Sequence, residues 1–288
     1  MPRFEIEAFC RAVQNNRITY TYLVPPVLLL IAKHPCVSNY DLSSLRMANS
    51  GAAPLTKELV EQVNKRVRLP IKQGYGLSET SPTTHTQAWS EWSSTIGSVG
   101  KLLPNLTAKY LAPDGETEVP KGQTGELAVK GPNVFIGYLN KPDLTKECFT
   151  ADGFFKTGDV GHEDVDGSFY ITDRVKELIK YKGFQVAPAE LEGLLVDHPD
   201  VDDAAVIGVY DESQHTELPR AYIVLKKGVP RTDAKAKQIA NWLHGKIAAH
   251  KKLRGGVRFV DEIPKSVSGK ILRRVFKEQV KKEMMAKL

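Results

Sequence analysis

Four short stretches combine glycine with polar or charged side chains in a way that suits a phosphorylated ligand. They are QGYGLSET at 73–80, FKTGDVG at 155–161, DRVKELIKYKGFQ at 173–185 and PKSVSGK at 264–270. Glycine lets a backbone come close to a ligand. Hydroxyl and carboxylate groups suit phosphate and Mg²⁺, and basic side chains pair with anions. Each stretch also has a plainer structural interpretation.

The first stretch predicts a buried strand that runs into a glycine turn, with Gln73-Gly74-Tyr75 near the turn. The hydroxyl of Ser78 suits a phosphate, and the carboxylate of Glu79 suits Mg²⁺. A tight turn capped by a serine fits the same residues equally well. In the second stretch, Asp159 follows a predicted glycine turn, where a carboxylate can accept both hydroxyls of a ribose. The alternative is an ordinary β-turn aspartate.

The third stretch carries Arg174, Lys176, Lys180 and Lys182, followed by Gly183 and Gln185. If it were a strand, the four cations would share one face and converge on an anion. A solvated strand face is the alternative.

The fourth stretch places Lys270 directly after Ser268-Gly269 and ahead of a cationic helix. A lysine on a glycine-flanked loop suits a group that enters and leaves a site built elsewhere. The alternative is the start of a helix with solvated charges.

The helices and strands that must position these residues form two regions with different patterns of secondary structure. Amphipathic helices at 4–18 and 53–67 and strands at 19–26 and 70–76 predict an α/β region, followed from Gly97 to about Ile171 by short strands and turns. Beyond Asp173, helices and strands alternate: helices at 188–199 and 233–250, strands at 201–211 and 220–228. The predicted fold class is therefore α/β plus α+β, with domains at 1–172 and 173–288.

Composition excludes several classes of protein. The chain has 288 residues, 41% of them hydrophobic, and a net charge of +6. The late cations accompany apolar residues at helical spacing, so a charged helix face explains them and nucleic-acid binding is a weak alternative. The three cysteines are far apart and the histidines do not cluster, which predicts no disulfide framework and no zinc site. The longest apolar run, 22–32, is too short to span a membrane.

The order of the motifs carries more information than any one of them. SGAAP at 50–54, QGYGLSE, GELAVKG with a later GY, TGD, DRVKELIKYKG and PKSVSGK follow one another along the chain. This series resembles the adenylate-forming superfamily over essentially all of the chain. Within it, residues 24–55 look most like the 4-coumarate–CoA ligase and luciferase-like acyl-CoA ligases.

The resemblance implies a fold and a reaction. The fold would be the C-terminal portion of the large adenylate-forming domain, with a partial α/β sheet and a β-rich subdomain, then a small mobile α+β domain that rotates about Asp173. The reaction would join a small carboxylic acid to coenzyme A by way of an acyl adenylate, with ATP, CoA and Mg²⁺ as cofactors. Catalysis would rest on positioning and charge stabilisation.

The resemblance also assigns roles to residues of this sequence. Ala52 and Gln73-Gly74-Tyr75 would flank the adenine and the acyl group. Ser78 would contact the phosphate, and Glu79 would hold Mg²⁺. Asp159 and Arg174 would bind the ribose, and Lys176 and Lys180 would face the adenylate. Lys182 and Gly183 would contact CoA, with Gln185 on the same surface. Lys270 would bridge the acid carboxylate and the α-phosphate during adenylation and then leave.

Two departures from the family pattern qualify these expectations. Ser78 replaces the more usual threonine and keeps the hydroxyl. The family's phosphate-binding loop, rich in Ser, Thr and Gly, would precede residue 1, so the 288 residues are expected to be a fragment or a shortened product with little adenylation activity alone. A non-catalytic remnant that binds a nucleotide or a partner protein is the alternative.

The final three residues, Ala286-Lys287-Leu288, are a close variant of the Ser-Lys-Leu peroxisomal address. They predict a peroxisomal location and an interaction with the import receptor. No transmembrane segment is predicted.

Overall fold

The computed structural model describes residues 4–53, 55, 57–266 and 269–285. The chain divides into two compact units, Met1–Ile171 and Thr172–Leu288. No helix in the described part of the chain is long and apolar enough to cross a membrane. Pro54, Ser268 and the Ala286-Lys287-Leu288 sequence, on which predictions were made above, lie outside the described residues.

The first unit begins with a five-stranded sheet whose strands follow their chain order. The first three strands are parallel and the last two are antiparallel. The strands are β1 (Tyr20–Leu23), β2 (Met47–Ser50), β3 (Ile71–Gly76), β4 (Thr83–Thr86) and β5 (Lys101–Leu102). The helices are α1 (Ile6–Asn16), α2 (Pro25–Lys33) and α3 (Lys57–Val67). The α/β prediction is confirmed here.

Helix α2 was not predicted from hydrophobic periodicity, but its local sequence explains why it forms. Pro25 and Pro26 occupy its first turn, where the missing N–H groups are not needed and the fixed φ suits a helix. Its residues Val27, Leu28 and Ile31 are buried in the core that covers the sheet. The prolines that end β1 therefore also begin α2.

A four-stranded sheet follows, and its last strand continues past Ile171 into the second unit. Its order is β6-β7-β8-β9, formed by β6 (Thr107–Leu111), β7 (Gly125–Lys130), β8 (Phe155–Glu163) and β9 (Phe169–Arg174). Its core contains Tyr110, Leu127, Val129, Phe155 and Phe169. A short helix, α4 (Pro142–Glu147), interrupts the region where only strands and turns were predicted. Pro142 opens that helix, as prolines open α2.

The second unit has a small sheet with helices on both faces, which is the predicted α+β arrangement. Its elements are the hairpin β10 (Ile179–Tyr181) and β11 (Phe184–Val186), α5 (Pro188–Val196), β12 (Val201–Asp211), β13 (Thr216–Leu225), α6 (Asp233–His244), β14 (Val257–Phe259) and α7 (Arg273–Met285). Strand β13 is central, antiparallel to β12 and parallel to β14.

Alternation along β12 assigns its two faces to different helices, since successive side chains of a strand point to opposite sides. Ala204 and Val206 lie in one core with residues of α5 and α6. Ala205 and Ile207 lie in another core with Phe276 and Val280 of α7. The run VDDAAVIGVYD is apolar on both faces because both faces are covered.

Helix α6 is shorter than predicted. It ends at His244, and Gly245 follows as its cap, whereas the sequence pattern predicted a helix to 250. Near its end, the ring of Trp242 meets the ring of His198 at a centroid distance of 5.0 Å, and Lys246 Nζ lies 3.6 Å from the Trp242 centroid.

Candidate active site

The carboxyl ends of the parallel strands β2 and β3 bring the SGAAP and QGYG motifs together. Ser50 pairs in register with Gln73. A Cβ added to Gly51 would lie 3.3 Å from the carbonyl oxygen of Gly74, so the two segments are close along their backbones. Ala52 follows with φ of +70°, a left-handed conformation that costs a residue with a Cβ about 1 kcal/mol or more. Such outliers tend to occur at functional sites.

The glycines of QGYG lie within β3 and not in a turn after it, which corrects the sequence-based prediction. A Cβ at Gly74 would meet the His85 carbonyl oxygen at 3.2 Å, and one at Gly76 would meet that of Pro82 at 1.8 Å. Gly76 is therefore required by the close approach of the neighbouring chain, whereas a Cβ at Gly74 would only be tightly packed. Any role of these two glycines in ligand binding would be additional to this packing role.

Gln73 is held by Gln87, a residue that the sequence did not single out. The backbone N–H of Gln73 donates to Gln87 Oε1 at 2.6 Å, and the N–H of Gln87 donates to the Gln73 carbonyl oxygen at 2.9 Å. The Gln87 amide in turn donates to the carbonyl oxygen of Thr95 at 2.7 Å. The end of β3 is thereby fixed from the side opposite β2.

Asp159 and Tyr75, which lie in separate motifs, are joined by a short hydrogen bond. The Tyr75 hydroxyl donates to Asp159 Oδ2 at 2.6 Å. The carboxylate is 4% exposed. The backbone N–H of Asp159 donates to Thr157 Oγ1 at 3.1 Å, and that hydroxyl donates to the Leu127 carbonyl oxygen at 2.7 Å. The carboxylate predicted to bind ribose is therefore oriented by an aromatic residue of the QGYG motif.

The TGD sequence is a bulge inside β8 and not the predicted turn between elements. The pairing of β7 with β8 shifts register between Glu126 and Ala128, and Gly158 has φ of +72° there. The Gly158 N–H donates to Glu126 Oε1 at 3.0 Å. Burial raises the pKa of Glu126, although this hydrogen bond opposes the shift. Bulges re-aim side chains, and Asp159 lies in this one.

Ser78 and Glu79 lie in a short 3₁₀ turn directly after β3, with Ser78 exposed. Glu79 Oε1 accepts a hydrogen bond from the Tyr138 hydroxyl at 2.9 Å, and the Glu79 carbonyl oxygen accepts one from Phe135 N–H at 2.8 Å. Burial and the neighbouring Glu79 raise the pKa of Tyr138 to about 12. Tyr138 is the tyrosine of the GY motif, so the structure brings a third motif to this carboxylate.

In the second unit, the four predicted cations do not lie on one strand. Arg174 ends β9, and its carbonyl oxygen accepts from Glu177 and Leu178 N–H at 2.9 and 3.1 Å, which turns the chain. Lys176 is exposed within this turn. Lys180 lies in β10 opposite Gln185 of β11. The turn separates Arg174 and Lys176 from the hairpin that carries Lys180 and Lys182.

Lys182 and Gly183 form the two-residue tip of the β10–β11 hairpin. Their φ values are +46° and +85°, as in the primed turns that suit the twist of hairpins. The Lys182 N–H donates to Thr216 Oγ1 at 2.7 Å, and Thr216 Oγ1 donates to the Lys180 carbonyl oxygen at 2.9 Å. Thr216, which the sequence analysis missed, therefore holds the backbone at the tip while both tip residues stay exposed.

Lys270 lies at the end of a closed loop before α7. The Ser266 N–H donates to the Lys270 carbonyl oxygen at 2.9 Å, and the Lys270 N–H donates to Ser266 Oγ at 3.1 Å. Gly269 has φ of +84°. The Lys270 side chain is exposed. Its backbone is thus fixed while its ammonium group remains accessible.

Comparison with known proteins identifies the family. The family model described as AMP-binding enzyme matches residues 1–139, and the model described as AMP-binding enzyme C-terminal domain matches residues 190–270. The chain belongs to the AMP-binding enzymes. The resemblance and the α/β plus α+β fold class expected from the motifs are confirmed. Ala52, Gln73 and Glu79 of this AMP-binding enzyme lie in the first matched range, and Lys270 is the last residue of the second.

Named relatives share a large part of the sequence. The chain is 45% identical over 96% of its length to a probable 4-coumarate–CoA ligase of Dictyostelium discoideum. It is 44% identical over 96% to luciferin 4-monooxygenase of Photinus pyralis and 43% identical over 98% to a putative acyl-coenzyme A synthetase of Emericella nidulans. The chain spans 50% of the length of each of these relatives.

Solved structures agree with this fold. ATP-bound MatB from Rhodopseudomonas palustris superposes with a TM-score of 0.88 at 31% identity, over 97% of this chain and 54% of that one. An anthranilate CoA ligase in complex with anthranoyl-AMP superposes with a TM-score of 0.86 at 27% identity, over 98% of this chain and 53% of that one.

Proposed function

We propose that this chain is the C-terminal portion of an ATP-dependent acyl-CoA ligase. A carboxylate oxygen of the acid attacks the α-phosphorus of ATP, and pyrophosphate leaves. The sulfur of the CoA thiol then attacks the acyl carbon, loses its proton, and AMP leaves. The hydrogen bond between Tyr75 and Asp159 carries the proposal, because it joins two family motifs 84 positions apart, both of which the resemblance assigns to the nucleotide.

The residues near this pair suit an adenosine ligand. An ionised carboxylate accepts hydrogen bonds through both of its oxygens, which suits the two hydroxyls of a ribose, and the Tyr75 hydroxyl donates to Oδ2 of Asp159. An aromatic ring beside the carboxylate provides a face for adenine. Asp159 would therefore hold the ribose hydroxyls, with Tyr75 orienting it, and Arg174 would join them as the family resemblance implies.

Glu79 fits the role of a Mg²⁺ ligand. Mg²⁺ in nucleotide sites is commonly held by one or two carboxylates together with substrate phosphates and water. Tyr138 occupies Oε1 of Glu79, which steadies the carboxylate and leaves Oε2 for an ion. When bound, Mg²⁺ would neutralise phosphate charge. The described part of the chain contains no cluster of three or more metal-ligating side chains, so any ion there depends on the nucleotide as well.

Each of the two half-reactions would depend on a different lysine. Lys270 would stabilise the negative charge where the acid meets the α-phosphate, and Lys182 with Gly183 and Gln185 would contact CoA. The relatives named as CoA ligases support the thiol step. A protein that binds nucleotide without catalysis is the second candidate, since the chain spans only half of these relatives.

Nucleotide recognition by Asp159 can be tested on the 288-residue chain itself. Isothermal titration should give at least ten-fold tighter binding of AMP than of 2′,3′-dideoxy-AMP to the wild type. In Asp159→Asn this preference should disappear. Asp166→Asn changes an exposed carboxylate and should keep it. Equal affinity of the wild type for the two nucleotides would overturn the assignment of Asp159 to the ribose.

Catalysis is tested on the complete product of the gene, with a panel of acids that includes 4-coumarate. Pyrophosphate exchange reports adenylation, and release of acyl-CoA from a supplied acyl adenylate reports the thiol step. Lys270→Ala should reduce the first at least 100-fold and spare the second. Absence of both activities from the wild type with every acid would favour the non-catalytic candidate.

A further inference from the structure

The guanidinium group of Arg273, the first residue of α7, lies among three carboxyl groups of the second unit. Its Nε and Nη2 are 3.0 and 2.6 Å from the two oxygens of Glu192, a bidentate pair. Its Nη1 is 3.7 Å from Glu177 Oε2. It also attracts the carboxylate of Asp173, where it opposes the rise in pKa that burial causes. The Arg273 and Glu192 side chains are 13% and 9% exposed.

Two of the three carboxylates, Glu192 and Asp173, also hold backbone segments. Glu192 Oε1 accepts from Val206 N–H at 2.8 Å, which joins α5 to β12. Asp173 Oδ2 accepts from Ala189 N–H at 2.9 Å, in the first turn of α5, where a carboxylate is favoured by the helix dipole. Asp173 Oδ1 accepts from Arg174 N–H at 2.7 Å. The proposed hinge residue is therefore fastened to α5 by its side chain.

Arg273 also stands at the base of the Lys270 loop. The Leu272 N–H donates to the Pro264 carbonyl oxygen at 2.8 Å, and Lys265 forms an isolated bridge with Ile271. These contacts close the loop immediately before Arg273. Arg273 is only three residues from Lys270 along the chain, whereas its partner Glu192 is 81 positions away.

We propose that Arg273 is a positioning residue for adenylation, which fixes the base of the Lys270 loop to α5 and to the hinge at Asp173. The proposal rests on the proposed function, in which Lys270 acts on the acid and the α-phosphate. A buried bidentate ion pair has one geometry, so it transmits the orientation of α5 to the loop. Lys270 then arrives at a set position because its loop moves with α5 and the hinge as one piece.

A purely structural ion pair is the competing explanation, since buried pairs are common without any functional role. A structural role predicts that substitution of Arg273 lowers the rates of both half-reactions equally, in proportion to the folded fraction of the protein. A positioning role predicts selective loss of adenylation. Arg273→Lys keeps the charge and removes the bidentate geometry. Arg274→Met is the matched control, because the adjacent Arg274 is exposed and its Nη1 is 3.8 Å from Glu278.

The first measurement is hydrogen exchange on the 288-residue chain, which does not depend on catalysis. Arg273→Lys and Arg273→Met should each increase exchange at the amides of Lys270 and Leu272 at least ten-fold. Arg274→Met should leave exchange there unchanged. Unchanged exchange in both Arg273 variants, with the small unit folded by circular dichroism, would overturn the proposal.

The second measurement is the ratio of pyrophosphate exchange to thioester formation in the complete protein. Arg273→Lys should lower this ratio at least ten-fold, and Arg274→Met should not change it. An unchanged ratio in Arg273→Lys would also overturn the proposal. If the wild type fails in both half-reactions, the proposed function fails, and the hydrogen-exchange result alone decides whether Arg273 fixes the loop.

Discussion

At the scale of single residues, the contact between Tyr75 and Asp159 gives the clearest prediction. Tyr75→Phe removes the donor to Asp159 and keeps the ring. Loss of one hydrogen bond to a charged group costs about 1.5–3 kcal/mol, and only part of it bears on the ligand, so AMP should bind roughly three- to thirty-fold more weakly. Isothermal titration measures this change.

Tyr110→Phe is the control for that substitution. Tyr110 is buried in the neighbouring sheet, and its hydroxyl has no hydrogen-bond partner among the described residues. Removing it should leave AMP affinity unchanged and stability equal or higher. Equal weakening of AMP binding by both substitutions would contradict a specific role for the Tyr75 hydroxyl.

His85 predicts a dependence of stability on pH. Burial lowers its pKa from 6.5 to about 3, and its Nδ1 lies 2.8 Å from Thr84 Oγ1. The neutral ring contributes stability that is fully present above pH 6.5 and is lost as the pH falls toward 3. At pH 5 the loss should be about 2 kcal/mol relative to pH 7.

The measurement is urea unfolding of the first unit at pH 7 and pH 5, followed by fluorescence of Trp89 and Trp92. His85→Gln should show a smaller loss between the two pH values by about 2 kcal/mol. The same change at exposed His215 should leave the wild-type loss intact. A pH response in His85→Gln identical to that of the wild type would show that burial of this ring does not govern acid stability.

Residue types in the motifs were predictable from the sequence, but their partners were not. QGYG and TGD each singled out polar groups, yet nothing in the local pattern relates Tyr75 to Asp159. The partner of Tyr138 in the GY motif was not predicted, and Thr216 was missed, for the same reason. They contact Glu79 and Lys182 across 59 and 34 positions, distances over which sequence periodicity carries no information.

At the scale of elements, the tip of the β10–β11 hairpin predicts a backbone effect. A Cβ at Gly183 would meet no atom within 4 Å, but φ there is +85°. Gly183→Ala should therefore destabilise the second unit by about 1–2 kcal/mol through conformation alone. Chemical denaturation followed by circular dichroism measures it.

Gly245→Ala, at the end of α6, is the control for that substitution. A Cβ there would lie at ordinary distances of 3.7 and 3.8 Å from the nearest atoms, and the backbone is right-handed with φ of −72°. It should be neutral or stabilising by up to about 1 kcal/mol. Comparable losses in both variants would indicate that the hairpin tip is not strained by a side chain.

Some helices and strands were predicted with their observed bounds and others were not, and the difference has physical causes. Strand β12 was predicted with its observed bounds because an apolar run of that length, bounded by aspartates, suits a strand covered on both faces. Helix α2 was missed because its consecutive prolines favour an interruption as strongly as a first turn. The bulge at Gly158 was predicted as a turn because both use a glycine with positive φ.

At the scale of the whole chain, the two compact units have separate cores, since each core cluster among the described residues belongs to one unit only. The second unit has its sheet covered by helices on both faces. A polypeptide of residues 172–288 should therefore fold alone and unfold cooperatively, as domains of about this size do. Circular dichroism and dispersed amide resonances measure this, and a disordered spectrum would contradict it.

The packing around Trp242 has an optical consequence. The sequence contains three tryptophans, and Trp242 is the one that lies between residues 172 and 288. Its ring is in contact with the His198 ring and the Lys246 ammonium group, so an aromatic ring and a cation set its electronic environment. Biosynthetic 5-fluorotryptophan would give one ¹⁹F resonance from the small unit and two from the large one. A single spectrum would then report separately on each half of the chain during turnover.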